Sequence, residues 1–329
     1  MRMPIRRQVA LLVALLAALV PSTAALGADD PETIVGSDGQ TYPKAPPVVI
    51  GKDGELFYGR SFDLFCADGA GAFSHGMDQL ARLAKVIRRS GRRVVFVVAP
   101  DKAHVLGRNL VRSELPHGAC DRRGIRAHGR LLDAYPDKSH LAIRKALAHD
   151  DRKVFWRTDT HWTTVGASVY AKALATALDP DLGARQRYRR GKSVRALGPM
   201  AYSIGSDQKE TIPTLRPAGG IKVRTAAGSV DLDDGDYVVD HSWVSSPARR
   251  TWPGRTVFLG DSFTFIAMEN LRPIFRKGRF LWIGNISQDV INRAVVKADT
   301  VVIEVAQFFV TVSQLTTDSF RTSVRSALR

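Results

Sequence analysis

The sequence predicts an α/β fold in which a mostly parallel sheet is covered by helices on both faces. Short, continuous apolar runs at 94–98, 256–259 and 300–305 are typical of strands that are buried on both sides. Segments with helical spacing of apolar residues lie between such runs, which favours alternating strands and helices. Polar residues of catalytic type follow the run at 256–259 and a further short apolar run at 154–156, where a parallel sheet is expected to present its ligand-binding edge.

The first 28 residues have the pattern of a secretory signal peptide. Arg2, Arg6 and Arg7 precede an unbroken apolar run at 9–20, and small residues suited to cleavage follow at 21–28. The run is short for a membrane-spanning helix, which needs about 20 residues. An uncleaved anchor is the alternative interpretation. Either way, the protein is expected to be secreted, periplasmic or attached to the cell envelope.

The first half of the chain supplies several of the predicted elements. Residues 29–46, rich in Pro, Gly and Asp, are expected to be an irregular lead-in. A two-stranded hairpin is predicted over 48–58, with Gly54 in its turn because glycine tolerates a positive φ. Further along come a helix, a buried strand, a second helix and another strand, at 77–90, 94–98, 141–148 and 154–156.

The second half continues the alternation after an interruption. Thr163 or Thr164 can cap a helix that must stop before Pro180. Residues 180–250 lose helical spacing and are predicted to be a β-rich insertion, with a hairpin about Asp234-Gly235. Strands follow at 256–259, 280–283 and 300–305, so the domain is predicted to span 47–312, with a tail or helix at 313–329.

Charge and cysteines restrict the partners. The net charge is +16, and +13 without the three arginines of the predicted signal. Such an excess favours anionic partners such as acidic polysaccharide, although an arginine-rich composition with solvated surfaces explains it equally well. No nucleic-acid partner is expected, because the basic runs lack interleaved aromatic residues and no binding motif is present.

Two cysteines, Cys66 and Cys120, are the only ones in the chain. Disulfides persist outside the cytosol, so a Cys66–Cys120 bridge is predicted, with two buried thiols as the alternative. Neither cysteine has metal-ligand spacing, and no metal site is predicted.

Three side chains suggest nucleophilic acyl chemistry. Ser262, in Gly-Asp-Ser-Phe, is predicted at a sharp turn from strand to helix, while Asp159 and His161 share one loop in Asp-Thr-His-Trp. A serine hydroxyl needs a base to take its proton, and that base works best when a carboxylate holds its other nitrogen. The N–H of Ser262 would lie at a helix start, where developing negative charge is stabilised. A capping serine, a structural histidine or a metal-binding Asp-x-His pair are the alternatives.

These two segments resemble those of the SGNH-like polysaccharide O-acetyltransferases of the alginate acetylation type. The Gly-Lys-Asp-Gly-Glu-Leu-Phe segment at 51–57 and the strand ending in Pro-Asp-Lys at 100–102 are similar to further segments of that family. The resemblance covers roughly 47–310. It implies a flavodoxin-like three-layer sandwich, with Asp and His before Ser through circular permutation.

The resemblance also implies roles. Ser262 would be the nucleophile, His161 the base and Asp159 its orienting carboxylate, with no metal or diffusible cofactor. Asn285 could donate to the oxyanion, as an asparagine does in SGNH relatives, or simply form a turn. Acetyl groups would reach the site through a membrane O-acyltransferase, and the acceptor would be a polysaccharide.

Two departures from the family pattern concern the acceptor. Glu55 replaces the usual Trp, and Val305-Ala306-Gln307 stands where a Glu-Arg ending is common. Lys102 is either a cleft residue that contacts an anionic substrate or a solvated loop lysine. A secreted carbohydrate acetyl esterase has the same residues with water as acceptor, and a non-catalytic polysaccharide-binding component of an export complex is the third possibility.

Overall fold

The computed structural model describes residues 32–68, 71–228 and 240–329. Its strands, in chain order, are β1 (Thr33–Val35), β2 (Thr41–Pro43), β3 (Val48–Ile50), β4 (Leu56–Tyr58), β5 (Arg93–Ala99), β6 (Tyr188–Ala196), β7 (Glu210–Pro217), β8 (Lys222–Gly228), β9 (Asp240–Ser246), β10 (Trp252–Gly260), β11 (Phe275–Trp282) and β12 (Thr300–Ala306). Its helices are α1 (Gly59–Asp68), α2 (Gly71–Arg89), α3 (Lys102–Val105), α4 (Ala119–Ala134), α5 (Arg144–Ala148), α6 (Thr164–Leu178), α7 (Pro180–Ala184), α8 (Pro199–Ser203), α9 (Ser262–Leu271), α10 (Gln288–Val296) and α11 (Asp318–Ala327).

A six-stranded sheet organises the molecule, in the order β5-β12-β10-β11-β9-β8. The first four strands are parallel to one another, and β9 and β8 continue the sheet in antiparallel pairing. All seven residues of β12 are buried, as a central parallel strand requires. The strands predicted at 94–98, 256–259, 280–283 and 300–305 are therefore confirmed.

Helices cover both faces of this sheet, and alternate strand residues divide between two cores. Phe258 and Val302 point to the face that carries α6 and α9. Val257, Leu259 and Val301 point to the opposite face, which carries α2, α10 and α11. Each buried aliphatic or aromatic side chain contributes about 1.5–3 kcal/mol of transfer free energy. The predicted α/β architecture, with a mostly parallel sheet between two helical layers, is thus observed.

The segment before the sheet is more ordered than expected. The described end of the lead-in forms the antiparallel pair β1–β2, so the prediction of an irregular segment is wrong for 33–43. The Tyr42 hydroxyl donates to Asp38 within this hairpin, and the Tyr42 ring packs on His117. The predicted hairpin over 48–58 is present as β3–β4, and Gly54 has a φ of 70°.

Two other expectations need correction. Residues 154–156 join no sheet, because their backbone bonds close a tight loop through the single bridge Phe155↔Trp162. The 180–250 segment is not simply an insertion: β6 and β7 form a separate hairpin, but β8 and β9 are the edge of the main sheet. The turn predicted about Asp234-Gly235 and the predicted signal peptide lie outside the described residues.

No helix among the described residues is both long and apolar enough to cross a bilayer. The C-terminal segment predicted as tail or helix contains α11, whose Phe320 and Val324 pack into the core beside α2 and α10.

Candidate functional site

Asp159, His161 and Ser262 form one chain of hydrogen bonds, although about a hundred residues separate the two segments. His161 Nε2 lies 2.7 Å from Ser262 Oγ, and His161 Nδ1 lies 2.9 Å from Asp159 Oδ1. Asp159 Oδ1 also accepts the backbone N–H of His161 at 3.2 Å. All three residues are at least 97% buried. This geometry can move a proton from the serine hydroxyl to an imidazole that a carboxylate orients.

Asp159 is suited to remain ionised in this arrangement. Burial by itself would raise the pKa of the carboxyl, but the positive charge and the hydrogen bonds of His161 outweigh burial and hold that pKa below its usual value. A carboxylate that stays charged keeps the Nδ1 proton of His161 in place and stabilises the imidazolium once it forms.

The loop that carries Asp159 and His161 is closed by its own backbone. Trp156 N donates to His161 O at 3.2 Å, and Thr163 N donates to Val154 O at 2.8 Å. Trp162 is fully buried, and its indole N–H donates to Phe263 O at 3.1 Å, which links the loop to the helix that begins with Ser262. Thr163 then caps α6, as one of the two predicted cap positions.

Ser262 is the first residue of α9, directly after β10. Asp261 is the N-cap: its Oδ1 accepts Phe263 N at 2.9 Å, and its Oδ2 accepts Ala306 N from the end of β12 at 2.7 Å. A Cβ at Gly260 would lie 2.7 Å from Thr264 Oγ1, so only glycine allows this close turn. The Ser262 N–H lies at the helix start, and its role as an oxyanion donor stays a prediction.

A second buried carboxyl lies beneath the same turn. Glu304 Oε2, on β12, accepts Asp261 N at 3.3 Å, Thr264 N at 3.1 Å and the Thr264 hydroxyl at 2.8 Å. Its Oε1 is buried and has no hydrogen-bond donor among the residues that the structure describes. Burial and the neighbouring charge of Asp261 raise the pKa of Glu304 well above its usual value, and burial also raises the pKa of Asp261. Both shifts favour the state in which this pair of carboxyls holds a proton over the state in which both are charged.

Lys102 does not line the cleft, and its interpretation as a substrate-binding residue is corrected by the structure. Its side chain is 1% exposed, and its Nζ lies 2.5 Å from Glu55 Oε1. The same ammonium donates to four backbone carbonyls, those of Leu56, Trp156, Arg157 and Asp159, at 2.7–3.3 Å. No donor capacity is left for a ligand, and the alternative of a solvated loop lysine is equally wrong. Lys102 instead holds the backbone of the Asp159 loop.

Glu210 supports the loop from the other side and was missed by the sequence analysis. Its Oε1 accepts Thr158 N at 2.9 Å and the Thr158 hydroxyl at 2.6 Å, while Lys153 lies 2.5 Å from its Oε2. Glu210 begins β7, and it reaches the loop only because the β6–β7 hairpin folds back over that loop. A lone glutamate in a charged segment carried no sequence signal for this role.

A cleft of about 400 Å³ opens beside Ser262. Ser262, Glu304 and Asn285 line it together with Trp282, Phe309 and Gln314. The side-chain Nε2 of Gln314 is buried there and has no hydrogen-bond partner in the part of the chain that the structure describes. Asn285 is exposed after β11, and it shares this cleft with Ser262. Its role as an oxyanion donor stays a prediction.

The predicted bridge between Cys66 and Cys120 is present, with the two Cα atoms 4.9 Å apart. It links α1 to α4. His117 and Asp121 lie close to Cys66, within 4.8 Å between potential ligand atoms. Because the Cys66 sulfur is bonded to Cys120, it is not a thiolate, and this cluster lacks a third ligand for a metal.

Several known proteins resemble this chain. The probable alginate O-acetylase AlgJ of Pseudomonas putida is 33% identical over 136 residues, which are 40% of this chain and 34% of that protein. The Pseudomonas aeruginosa protein of the same name is 31% identical over 133 residues, 40% of this chain and 33% of that protein. The matched region thus spans about a third of the length of these relatives.

Solved structures show the same fold at low identity. The O-acetyltransferase domain of Pseudomonas putida AlgJ superposes with a TM-score of 0.50 at 18% identity, over 85% of this chain and 98% of that one. Bacillus cereus PatB1 superposes with a TM-score of 0.57 at 12% identity, over 82% of this chain and 98% of PatB1. Pseudomonas aeruginosa AlgX superposes with a TM-score of 0.53 at 15% identity, over 85% of this chain and 65% of AlgX.

The family described as "SGNH hydrolase-like domain, acetyltransferase AlgX" matches residues 48–219. That range includes Asp159 and His161 but ends before Ser262, whose place beside His161 is a finding of the structure. Since the match covers more than half of the 329 residues, the chain belongs to the AlgX-type family of SGNH hydrolase-like domains.

Proposed function

We propose that this protein is an exported, serine-dependent O-acetyltransferase that acetylates hydroxyl groups of a polysaccharide. The observation that carries the proposal is the buried hydrogen-bonded chain from Asp159 through His161 to Ser262. Such a chain activates a serine for acyl transfer, and it lies at the end of β10 where parallel sheets bind ligands.

The reaction would proceed in two transfers. His161 Nε2 takes the hydroxyl proton as Ser262 Oγ attacks the carbonyl carbon of the acetyl donor, and the Ser262 N–H holds the oxyanion. The donor's leaving group departs with the proton from His161, which leaves an acetyl-serine. A sugar hydroxyl then gives its proton to His161 and attacks the acetyl carbonyl. Ser262 leaves as the alcohol by taking that proton back, and the sugar carries the acetyl ester.

The resemblances support the substrate class. Two relatives are named as probable alginate O-acetylases, and the family is described as an acetyltransferase. A polysaccharide acceptor outside the cytosol fits these names and the predicted signal peptide. Acetyl-CoA is cytosolic, so the acetyl groups would be supplied by a membrane O-acyltransferase. The proposal needs no metal or diffusible cofactor for either transfer.

The proposal is tested by following one acetyl group. The purified protein is incubated with a chromogenic acetyl ester, with and without oligosaccharide. The masses of the intact protein and of the sugar are then measured by mass spectrometry. Wild-type protein should gain one acetyl group on Ser262 and pass it to the sugar. Ser262→Ala should do neither, whereas Ser203→Ala, at an exposed serine, should behave as wild type.

Two outcomes would overturn it. Acetate release without acetylated sugar, across neutral and acidic oligosaccharides, identifies a carbohydrate acetyl esterase. Absence of any acetyl-enzyme in a folded protein points to a non-catalytic polysaccharide-binding component.

A further inference from the structure

A second cavity, lined by arginines, lies away from the Ser262 cleft. It has a volume of about 640 Å³ and is formed where the loop after β7 meets the C-terminal end of α9. Since α9 has ten residues and rises about 1.5 Å per residue, the cavity is roughly 15 Å along the helix from Ser262. We call it the arginine pocket, and its charged lining consists of Arg185, Arg187, Arg189, Arg216, Arg250, Arg272 and Glu269.

Charge in the arginine pocket is unbalanced. Six guanidinium groups face one carboxylate, and none of the six arginines is in an ion pair within the described ranges. Some arginines elsewhere in the described ranges are in ion pairs. Arg144 meets Asp133, and Arg279 meets Asp240 at 2.5 Å. The pocket therefore leaves uncompensated positive charge in a concave site, where fields are focused.

Two of these arginines are arranged at a cost to stability. Arg189 on β6 and Arg216 on β7 are directly opposite partners in the hairpin register. Like charges directly opposite each other on paired strands are destabilising. An arrangement that opposes folding and lines a cavity is typical of a binding site, because an anion between the two guanidinium groups would remove the repulsion.

Arg272 adds an unmet hydrogen-bond donor. Its Nε is buried and has no partner among the described residues. Burial lowers the pKa of Arg272 to about 10, so the group is still charged at neutral pH. A buried donor without an acceptor costs free energy until something accepts its hydrogen bond.

We propose that the arginine pocket binds an anionic group, a carboxylate or a phosphate, carried by a sugar residue of the polysaccharide acceptor. Guanidinium groups bind these planar or tetrahedral oxyanions with paired hydrogen bonds, and the cavity is within the usual size range of small-molecule sites. This inference rests on the proposed function for the identity of the polymer. One sugar cannot occupy both the pocket and the Ser262 cleft, so the pocket would hold the polymer while another residue of it is acetylated.

Binding is measured by calorimetry on the full-length mature protein with three probes: an oligouronate, a neutral oligosaccharide of equal length, and inorganic phosphate. The test variant is Arg189→Gln with Arg216→Gln. The matched control is Arg190→Gln with Arg195→Gln, which removes the same charge from exposed positions of the same hairpin outside the pocket.

The oligouronate should bind in a salt-dependent manner, and the test variant should bind it at least about tenfold more weakly, because two charge-assisted contacts are lost. The control should change by less than about twofold, since exposed charges outside the pocket contribute little. The unliganded test variant should also melt at a higher temperature than wild type, because the Arg189–Arg216 repulsion is gone; that result shows that it folds.

Equal losses in the test and control variants would overturn the pocket assignment, as would salt-independent binding of neutral and acidic sugars alike. Inorganic phosphate that binds as tightly as the oligouronate would overturn the assignment to a glycan. Acetyl-ester turnover by wild-type protein is measured in parallel. If the protein turns over the acetyl ester but does not bind the oligouronate, only the arginine-pocket inference is refuted. If the oligouronate binds through the pocket but the acetyl ester is not turned over, only the proposed enzymatic function is refuted.

Discussion

The carboxyl groups of Asp261 and Glu304 lie against each other beneath the turn that carries Ser262, and neither forms an ion pair with lysine or arginine in the described part of the chain. Asp261 uses both oxygens to accept backbone N–H groups from α9 and from the end of β12. Within the described ranges, Glu304 accepts three hydrogen bonds on Oε2 and none on Oε1. The other titratable groups that face this pair are His161 and Tyr170. The raised pKa of Glu304 favours its protonated form in this arrangement.

Glu304→Gln should therefore keep most of the acetyl-ester turnover. The amide donates where the acid donates and accepts where it accepts, but it does not titrate. The folded-state pKa of Glu304 is raised above its usual 4.5, so the stability that the protonated acid provides is present at low pH and falls as the pH rises. As the pH rises, the melting temperature of the wild-type protein should therefore fall relative to that of the Glu304→Gln variant.

Glu304→Ala, by contrast, should lower the free energy of unfolding by about 1–3 kcal/mol and reduce turnover, since Thr264 N and its hydroxyl lose their acceptor. Glu114→Gln, at an exposed glutamate, is the control and should have no effect. A Glu304→Gln protein that loses as much turnover as Glu304→Ala would show that the group acts as a carboxylate.

Single removal of Ser262, His161 or Asp159 side chains should each lower kcat for a small acetyl ester by about 10³-fold or more. Such residues act as a unit, so Ser262→Ala combined with His161→Ala should be hardly slower than either change alone. Steady-state kinetics with circular dichroism of each variant provide the measurement. A folded Ser262→Ala protein with near wild-type kcat would mean that another group is the nucleophile.

Lys102→Met should destabilise the protein by about 3–5 kcal/mol, because it leaves Glu55 buried without its cation. It should also lower kcat more than it changes KM, since the Asp159 loop loses the donor that fixes its carbonyls. Chemical denaturation and kinetics well below the melting temperature separate the two effects.

The matched control for that change is Lys172→Met at an exposed position of α6. A second variant, Lys102→Met with Glu55→Leu, should recover stability without recovering kcat. If both stability and kcat return together, Lys102 has a structural role only.

The disulfide should contribute about 2–4 kcal/mol to the free energy of unfolding, because it closes a loop across a sequence separation of 54. Replacement of both Cys66 and Cys120 by alanine should lower the free energy of unfolding by that amount, measured by chemical denaturation, and leave the small-ester kcat close to wild type below the transition. Non-reducing peptide mapping of secreted protein checks the linkage. Two alkylated thiols in that material would refute it.

The sequence allowed prediction of the sheet strands because each is a continuous apolar run. It also allowed prediction of the Asp159, His161 and Ser262 cluster, although only Ser262 follows a strand of the main sheet and the other two lie on a tight loop beside it. The error at 154–156 has a physical cause. An apolar run of three residues satisfies burial equally well in a sheet or in a tight loop, and only the backbone pairing of Phe155 with Trp162 decides between them.

The supporting residues could not be predicted for a different reason. Lys102 and Glu210 act through partners distant in sequence, and a charged residue in isolation is far more often solvated than buried. The same holds for Glu304, which has the pattern of a polar interruption in a buried strand. The role of Glu304 depends on which turn packs against it in the fold, and no local sequence pattern gives that information.

The pairing of β5 with β12 has a consequence for how the protein comes into being. These neighbours, matched from Arg93–Thr300 to Ala99–Ala306, are about two hundred residues apart in the chain. Sheets built from such remote pairings form slowly, because a long stretch of chain must be ordered before the contact is gained. A polypeptide emerging amino-terminus first would hold β5 with an unpaired edge until nearly its whole length is available. Assembly should thus be a late, all-or-none event, and truncation before β12 should leave an aggregating chain rather than a smaller working enzyme.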